Sequence, residues 1–179
     1  DHRPLENFAA NCGPGFQSLR LQNCDIYHRG FLSFPMLNEN TITNINLNCN
    51  YLGDEGAKIL AESFFPCQMN IRYVRLKECY IRNDGFLGLM EALVVSRSRN
   101  KNKVKHNIVY YDLSCNVITD PAMITFAKEI APRIPEYSLD YLNLIGNWFT
   151  ANIGNSMGNA LTANAFCRHL KLEDTCGST

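Results

Sequence analysis

The sequence lacks the features that mark several common classes of protein. Its 17 Lys and Arg are matched by 17 Asp and Glu, so no charge excess points to nucleic acid or to an acidic tail. Its apolar runs, such as residues 92–95, are far shorter than the roughly 18 residues of a membrane helix. No Asn-X-Ser/Thr triplet occurs. We therefore expect a cytoplasmic protein that binds neither a membrane nor nucleic acid.

Motifs of catalysis and of metal binding are also missing. The sequence contains no Cys-x-x-Cys, Gly-x-Ser-x-Gly or His-Glu-x-x-His motif and no phosphate-binding loop. Its four histidines have no ligand-like spacing to Cys or Asp. We predict that the protein is not an enzyme and needs no cofactor and no metal. Its eight cysteines are interpreted as reduced thiols rather than as a disulfide framework.

What the sequence does contain is a repeat, which is most complete at residues 42–56, ITNINLNCNYLGDEG. Numbered from its first residue, this stretch has apolar residues at positions 1, 4, 6 and 11, Asn at position 9 and Gly at position 15. The same spacing begins at residues 16, 71, 108 and 139, and a partial copy begins at residue 167. The steps are 26 to 37 residues long, which indicates a solenoid.

The spacing within each copy predicts a strand followed by a helix. Positions 4 and 6 alternate with polar neighbours, as in a strand with one buried face. A helical segment follows, for example residues 55–64, and this alternation predicts a parallel sheet with helices on one face. Position 9, which is Asn or Cys, is expected to turn inward and bond the backbone of adjacent loops. The pairs Asp54-Glu55, Asn83-Asp84 and Thr119-Asp120 stand just before predicted helices and are predicted to cap their N-termini.

The repeat, with the phrase LGDEGAKILAESF at residues 52–64, resembles the leucine-rich repeat superfamily and its ribonuclease-inhibitor-like subclass. The resemblance covers about residues 16–175 and implies an α/β solenoid of about five repeats plus a partial sixth. In that fold the parallel sheet is concave and the helices are convex. We expect residues 1–15 to cap the first repeat, and residues 16–179 to form a repeat domain that is incomplete at its C-terminal end.

The implied concave surface carries the first candidate site. Side chains at positions 3, 5 and 7 of each copy face it, and position 3 places three tyrosines side by side. Tyrosine and arginine commonly anchor interfaces, so we predict that this face contacts a protein partner. The predicted contact residues are Tyr73, Arg75, Lys77, Tyr110 and Tyr141. The alternative is that tyrosine simply suits an exposed strand position.

Two further candidates lie outside the sheet. Trp148, the single tryptophan, occupies position 10 and is predicted either to anchor a partner at the solenoid edge or to pack on the terminal segment. Residues 97–106 lengthen one repeat and form either a solvated loop or a site for an anionic partner. The cations of this loop are Arg97, Arg99, Lys101, Lys103 and Lys105.

The resemblance implies a non-enzymatic protein–protein interaction module or a scaffold subunit of a larger assembly, in a cytoskeletal or ciliary setting. The alternative from the same subclass is a regulator of an enzyme, such as a small-GTPase-activating protein, although no residues of such proteins can be matched here. A measurement of whether the chain stimulates GTP hydrolysis by a small GTPase distinguishes the interaction module from the enzyme regulator. Innate-immune sensing is a weaker option, since the sequence has no nucleotide-binding domain.

Overall fold

The structure is a computed structural model that describes residues 15–36, 42–68, 70–95 and 108–173. Six short strands form one parallel sheet in which the order in space is the order in sequence. The strands are β1 (Ser18–Arg20), β2 (Asn44–Asn46), β3 (Tyr73–Arg75), β4 (Tyr110–Asp112), β5 (Leu139–Asn143) and β6 (Cys167–Lys171). This is the predicted leucine-rich repeat solenoid, and β6 confirms the sixth copy.

The spacing found in the sequence is also the register of the sheet. Each position in one copy pairs with the same position in the next, so that Ile45, Val74, Tyr111 and Leu142 form one line across four strands. All four side chains are buried, as expected for position 4. Because successive side chains in a strand point to opposite faces, the neighbouring positions 3 and 5 lie on the concave surface.

The convex side is more varied than the sequence predicted. Its α-helices are α1 (Gly53–Ile59), α2 (Asn83–Val95), α3 (Asp120–Thr125) and α4 (Gly154–Ala163). Helices α1 and α3 widen into π-helical turns at Leu60–Phe64 and Phe126–Ile130, and then tighten into 3-10 turns at Phe65–Cys67 and Ala131–Arg133. The first copy has a 3-10 segment, His28–Met36, and another, Ala151–Ile153, precedes α4.

Proline explains where two of these helical segments end. Pro66 and Pro132 each lie within the closing 3-10 turn, and a proline supplies no backbone N–H to continue the helix. The helix predicted over residues 55–64 thus begins two residues earlier and changes geometry at Leu60. Behind the sheet, Phe126 packs edge-on against Phe86 and Phe166, with ring centroids 5.5 and 5.3 Å apart. This aromatic column joins the convex segments of three copies.

A ladder of buried asparagines at position 9 ties the loops that leave the strands, which we call the exit loops. Asn116 Oδ1 accepts hydrogen bonds from the backbone N–H groups of Cys79 and Ile81, both at 3.0 Å. Its Nδ2 donates to the carbonyls of Leu76 at 2.8 Å and Leu113 at 3.0 Å. Asn50 and Asn147 make the same kind of bonds in their copies. The predicted role of position 9 is confirmed.

Cysteine replaces asparagine in the ladder at one buried site. Cys79 Sγ donates to the carbonyl of Leu47 at 3.2 Å, and burial raises the pKa of its thiol to about 12. Cys24, at position 9 of the first copy, differs because it is exposed and bonds within its own loop, to the Gln22 carbonyl at 3.3 Å. The cysteines with described side chains are free thiols: Cys24, Cys49, Cys79, Cys115 and Cys167.

The acidic and amide residues at the helix starts link neighbouring repeats instead of capping their own helices. Asp54 lies in the first turn of α1, and its Oδ1 accepts from the N–H groups of Arg82 at 2.8 Å and Gly85 at 3.0 Å, at the start of α2. In the same manner, Asn83 Oδ1 accepts from the Thr119 N–H at 2.9 Å, and Asp120 Oδ1 accepts from the Thr150 N–H at 2.7 Å. The prediction that these side chains cap the helices they precede is wrong at α1 and α3, which have no side-chain cap, because the oxygens accept from backbone N–H groups of the next repeat instead.

Several predictions fall on residues outside the described ranges. The proposed cap lies almost wholly in residues 1–14, and the basic loop lies in residues 96–107. In the part of the chain that the structure describes, no helix is long and apolar enough to cross a membrane.

Candidate functional site

The concave surface carries a continuous line of rings, which we call the concave row: Tyr73, Tyr110, Tyr141 and His169. In-register pairing of β3, β4, β5 and β6 places these side chains next to one another. The Tyr110 and Tyr141 rings stack with centroids 5.0 Å apart and an interplanar angle of 4°. Tyr73 and His169 extend the row at 6.3 and 6.4 Å. The structure thus brings the three predicted tyrosines together.

Two cations flank the row. The Arg75 guanidinium lies 5.2 Å from the centre of the Tyr110 ring, and its Nη1 donates to Asn44 Oδ1 at 2.8 Å. The Lys171 ammonium lies 5.6 Å from the centre of the Tyr141 ring. A hydrogen bond to the Tyr141 side chain raises the pKa of Lys171, so this lysine stays charged at neutral pH. Cation–π contacts of this length are favourable, and they fix the cations beside the rings.

The one acidic side chain on β4 is turned to internal partners. Asp112 is buried, and its Oδ1 accepts from the Ser114 hydroxyl at 2.7 Å and from Asn143 Nδ2 at 3.1 Å. Partial burial, and then the charge of Asp112, raise the pKa of Tyr110, so its ring stays neutral. The concave row therefore combines uncharged tyrosine rings with two basic groups.

Lys77 departs from the predicted set. Its ammonium lies 3.7 Å from Glu78 Oε1, so it points to the exit loop rather than along the concave row. Arg75 and Lys171 are the cations that contact the rings. Lys171 was missed because its contact depends on ring orientation, although it shares position 5 with Arg75.

A second line of rings lies on the exit loops, and sequence reasoning missed it. We call it the edge row: Tyr27, Tyr51 and Tyr80. The Tyr27 and Tyr51 centroids are 4.7 Å apart with planes 10° apart, and Tyr51 and Tyr80 follow at 5.4 Å and 14°. Tyr51 and Tyr80 share position 10, which is a detectable signal, but Tyr27 stands at position 12 and hides the pattern.

Trp148 lies at the same edge and is 56% exposed. Its backbone N–H donates to the Ile118 carbonyl at 2.9 Å. The role of Trp148 as an anchor remains a prediction. Arg97, Arg99, Lys101, Lys103 and Lys105 fall outside the described residues. Within the described ranges, no group of three or more His, Cys, Asp or Glu side chains is placed to hold a metal ion.

Comparison with known proteins supports the fold. No protein-family model matches the chain. A curated relative, the mouse NACHT, LRR and PYD domains-containing protein 12 (Mus musculus), is 24% identical over 148 residues. That match covers 83% of this chain but only 13% of the relative, so the chain spans a small part of the length of that protein.

Two solved structures share the architecture over nearly the whole chain. One is titled Leiomodin-1 Actin-Binding Site 2 (ABS2), with a TM-score of 0.65, 16% identity, and coverage of 90% of this chain and 87% of the other. The second is the tropomodulin C-terminal domain from Caenorhabditis elegans, with a TM-score of 0.55, 12% identity, and coverage of 92% and 93%. At such identities these likenesses establish the fold alone.

Proposed function

We propose that the chain is a non-enzymatic protein-interaction module whose concave row binds a protein partner. The observation that carries the proposal is the stacked pair Tyr110 and Tyr141 with a cation over each ring. Rigid rings contribute large contact area at little entropic cost, and their hydroxyls offer hydrogen bonds. Arg75 and Lys171 favour a partner surface that is acidic around an apolar centre.

The setting that we propose is cytoskeletal, with actin as the first partner to test. The solved leiomodin-1 structure of the same architecture is titled an actin-binding site. This supports a choice of partner and transfers no residues, because the identity is 16%. Membership of a larger assembly as a scaffold subunit fits the same surface, since a concave sheet can hold one partner while other faces contact a second.

The test is binding of purified actin, as monomer and as filament, to the chain and to two triple variants. In the first variant Tyr73, Tyr110 and Tyr141 are changed to alanine. The second changes Tyr27, Tyr51 and Tyr80 to alanine and is a matched control, because it removes three stacked tyrosines from another surface. We expect the concave variant to weaken binding by at least about ten-fold and the edge variant to leave it unchanged.

The outcomes test separately whether actin is the partner and whether the concave row is the binding surface. If the unchanged chain binds neither form of actin, the actin proposal is wrong. Crosslinking pull-down from native extract then tests the surface itself, using the same two variants. If a stable set of captured proteins survives the loss of the concave tyrosines, the concave row is not the binding surface.

A further inference from the structure

The edge row is interrupted by a slot that is wide enough for one planar group. Tyr51 and Tyr80 occupy position 10 of successive exit loops, Val117 follows, and Trp148 occupies position 10 of the loop after that. Neighbouring strands of a sheet lie about 4.8 Å apart, so Tyr80 and Trp148 stand about 10 Å apart along the solenoid. Aromatic contacts span about 5 Å each, so one flat group fits between these two rings.

This slot opens into a groove along the exit loops. The groove encloses about 460 Å³, and Tyr80, Val117 and Trp148 are among its lining residues. Tyr80 is 59% exposed and Trp148 is 56% exposed, so both residues are open to contact with a ligand. The volume is in the range of sites that hold a small molecule or a few side chains.

The charge of the groove selects its ligand. Asp25 and Glu78 line it, and none of the described lining residues is Lys, Arg or His. Within the described ranges Asp25 has no ion-pair partner, and Glu78 has the Lys77 ammonium at 3.7 Å. Both Lys77 and Glu78 are about half exposed, and a pair so exposed adds little stability, so it yields readily to a competing cation. Aromatic faces beside carboxylates favour a cationic ligand.

The groove is rigid before any ligand arrives. Backbone hydrogen bonds of 2.9 Å join neighbouring exit loops, from Tyr51 to Ile26 and from Val117 to Ile81. The Asn116 ladder bonds lie directly beneath. A site whose walls are already fixed loses little conformational freedom on binding, so even a short segment can bind with measurable affinity.

We propose that the slot binds an arginine side chain from an extended segment of a partner protein. The guanidinium stacks between Tyr80 and Trp148 above Val117, and Glu78 supplies the opposite charge. Arginine fits better than lysine because its group is planar, permanently charged and less strongly hydrated. This site shares no residue with the concave row, so it stands or falls independently of the proposed function.

Trp148 makes the test direct, because it is the only tryptophan in the chain and its emission reports on the slot. The probe is the blocked peptide Gly-Arg-Gly-Arg-Gly, compared with the same peptide carrying citrulline, which keeps the planar shape and loses the charge. We expect a saturable change in Trp148 emission with the arginine peptide and at least about ten-fold weaker binding of the citrulline peptide. A lysine peptide is expected to lie between the two.

Variants of the slot decide the geometry. Val117→Tyr fills the gap with a ring of the kind found in the two preceding exit loops, and we expect it to abolish binding, whereas Val117→Ala keeps the gap and the affinity. Glu78→Gln is expected to weaken binding about ten-fold, whereas Asp25→Asn, at a residue three copies from the slot, is expected to leave it unchanged. The matched control, Glu62→Gln, neutralises one exposed carboxylate on the helix side and leaves affinity unchanged.

Three results overturn the proposal. They are equal affinity for arginine and citrulline peptides, undiminished binding by a folded Val117→Tyr protein, and equal losses in the Glu78→Gln and Glu62→Gln variants. If Val117→Tyr fails to fold, as judged by circular dichroism, the Glu78→Gln and Glu62→Gln variants and the citrulline peptide still decide the question.

Discussion

The concave row and the edge row are built by the same repeat but present opposite charge. Equivalent positions of successive copies lie side by side in both rows, with ring centroids 5.0 Å apart for Tyr110 and Tyr141 and 5.4 Å apart for Tyr51 and Tyr80. On the concave face the rings carry Arg75 and Lys171. At the edge, Asp25 and Glu78 line the groove. A protein with zero formal net charge thus has two aromatic surfaces with opposite charge beside them, and we propose that they bind different partners.

The two rows also differ in what supports them. The concave row stands on strands, whose hydrogen bonds involve backbone alone. The edge row stands on exit loops with left-handed backbone at position 8, where φ is 58° at Cys49, 54° at Glu78 and 54° at Cys115. Such values are unfavourable for residues other than glycine and asparagine. The buried asparagine ladder holds the loops in this form, so the edge depends on a few side chains.

The largest effect is expected from removing one rung of the ladder. Asn116→Ala leaves the buried N–H groups of Cys79 and Ile81 and the Leu76 carbonyl without this partner. We expect the free energy of unfolding to fall by about 3 to 4 kcal/mol, measured by urea denaturation. Asn159→Ala, on the exposed face of α4, is the control, with a change within about 0.5 kcal/mol. Equal effects at both sites would contradict the role of the ladder.

A paired glycine experiment tests the close contact between neighbouring helices. A Cβ at Gly85 would lie 2.5 Å from Asp54 Oδ1 and 3.0 Å from Asp54 Cα, whereas one at Gly88 meets nothing within 4 Å. We expect Gly85→Ala to destabilise the protein by about 1 to 3 kcal/mol. Gly88→Ala, in the same helix, is expected to stabilise it by about 0.5 to 1 kcal/mol. Thermal melting measures both, and changes of the same sign would refute the contact.

Double-mutant cycles compare the two rows directly. The Tyr110–Tyr141 pair is partly buried and stacked under Arg75, so we expect a coupling energy of about 1 kcal/mol from alanine variants. The more exposed Tyr27–Tyr51 pair is expected to couple by about 0.5 kcal/mol. Denaturation of the single and double variants gives both values. A larger coupling energy for Tyr27–Tyr51 than for Tyr110–Tyr141 would mean that burial does not determine the coupling energy between neighbouring rings.

The smallest expected effect is a change in the pKa of Tyr51 when its neighbouring tyrosines are replaced. Its pKa is raised, chiefly by Tyr27 and Tyr80 and then by Asp25. Because the pKa of Tyr51 is higher in the folded protein than in the unfolded chain, its contribution to the free energy of unfolding is complete below the ordinary tyrosine pKa. That contribution is lost as the pH rises through the raised pKa of the folded protein. Tyr27→Phe with Tyr80→Phe should lower the Tyr51 pKa toward its ordinary value in an ultraviolet titration. The Tyr110 pKa should stay raised in that variant, since burial is its main cause.

Sequence periodicity was sufficient for the sheet, its register and the inward asparagines, because these depend on backbone geometry shared by every copy. It also placed Tyr73, Tyr110 and Tyr141 in one row, since position 3 is the same in all copies. It did not predict the π-helical turns at Leu60–Phe64 and Phe126–Ile130. It missed the bonds of Asp54 to α2 because they join different repeats.

The candidate site was predicted less completely than the fold. Lys77 was assigned to the concave face by position, but its flexible side chain reaches Glu78 instead. The edge row escaped because Tyr27 sits two positions away from Tyr51 in the repeat count, and only the three-dimensional course of the first loop brings the rings together. Contacts made by side-chain reach, unlike those set by strand register, do not follow from spacing.

The most direct test of the two-surface account is a map of backbone amide shifts in the isotopically labelled chain, titrated separately with an acidic peptide and with the arginine peptide. The account predicts that the acidic peptide shifts amides of β3, β4 and β5, whereas the arginine peptide shifts those of the exit loops around Tyr80, Val117 and Trp148. If both peptides shift the same amides, or if the two sets are exchanged, the two rows are not distinct binding surfaces and the account is wrong.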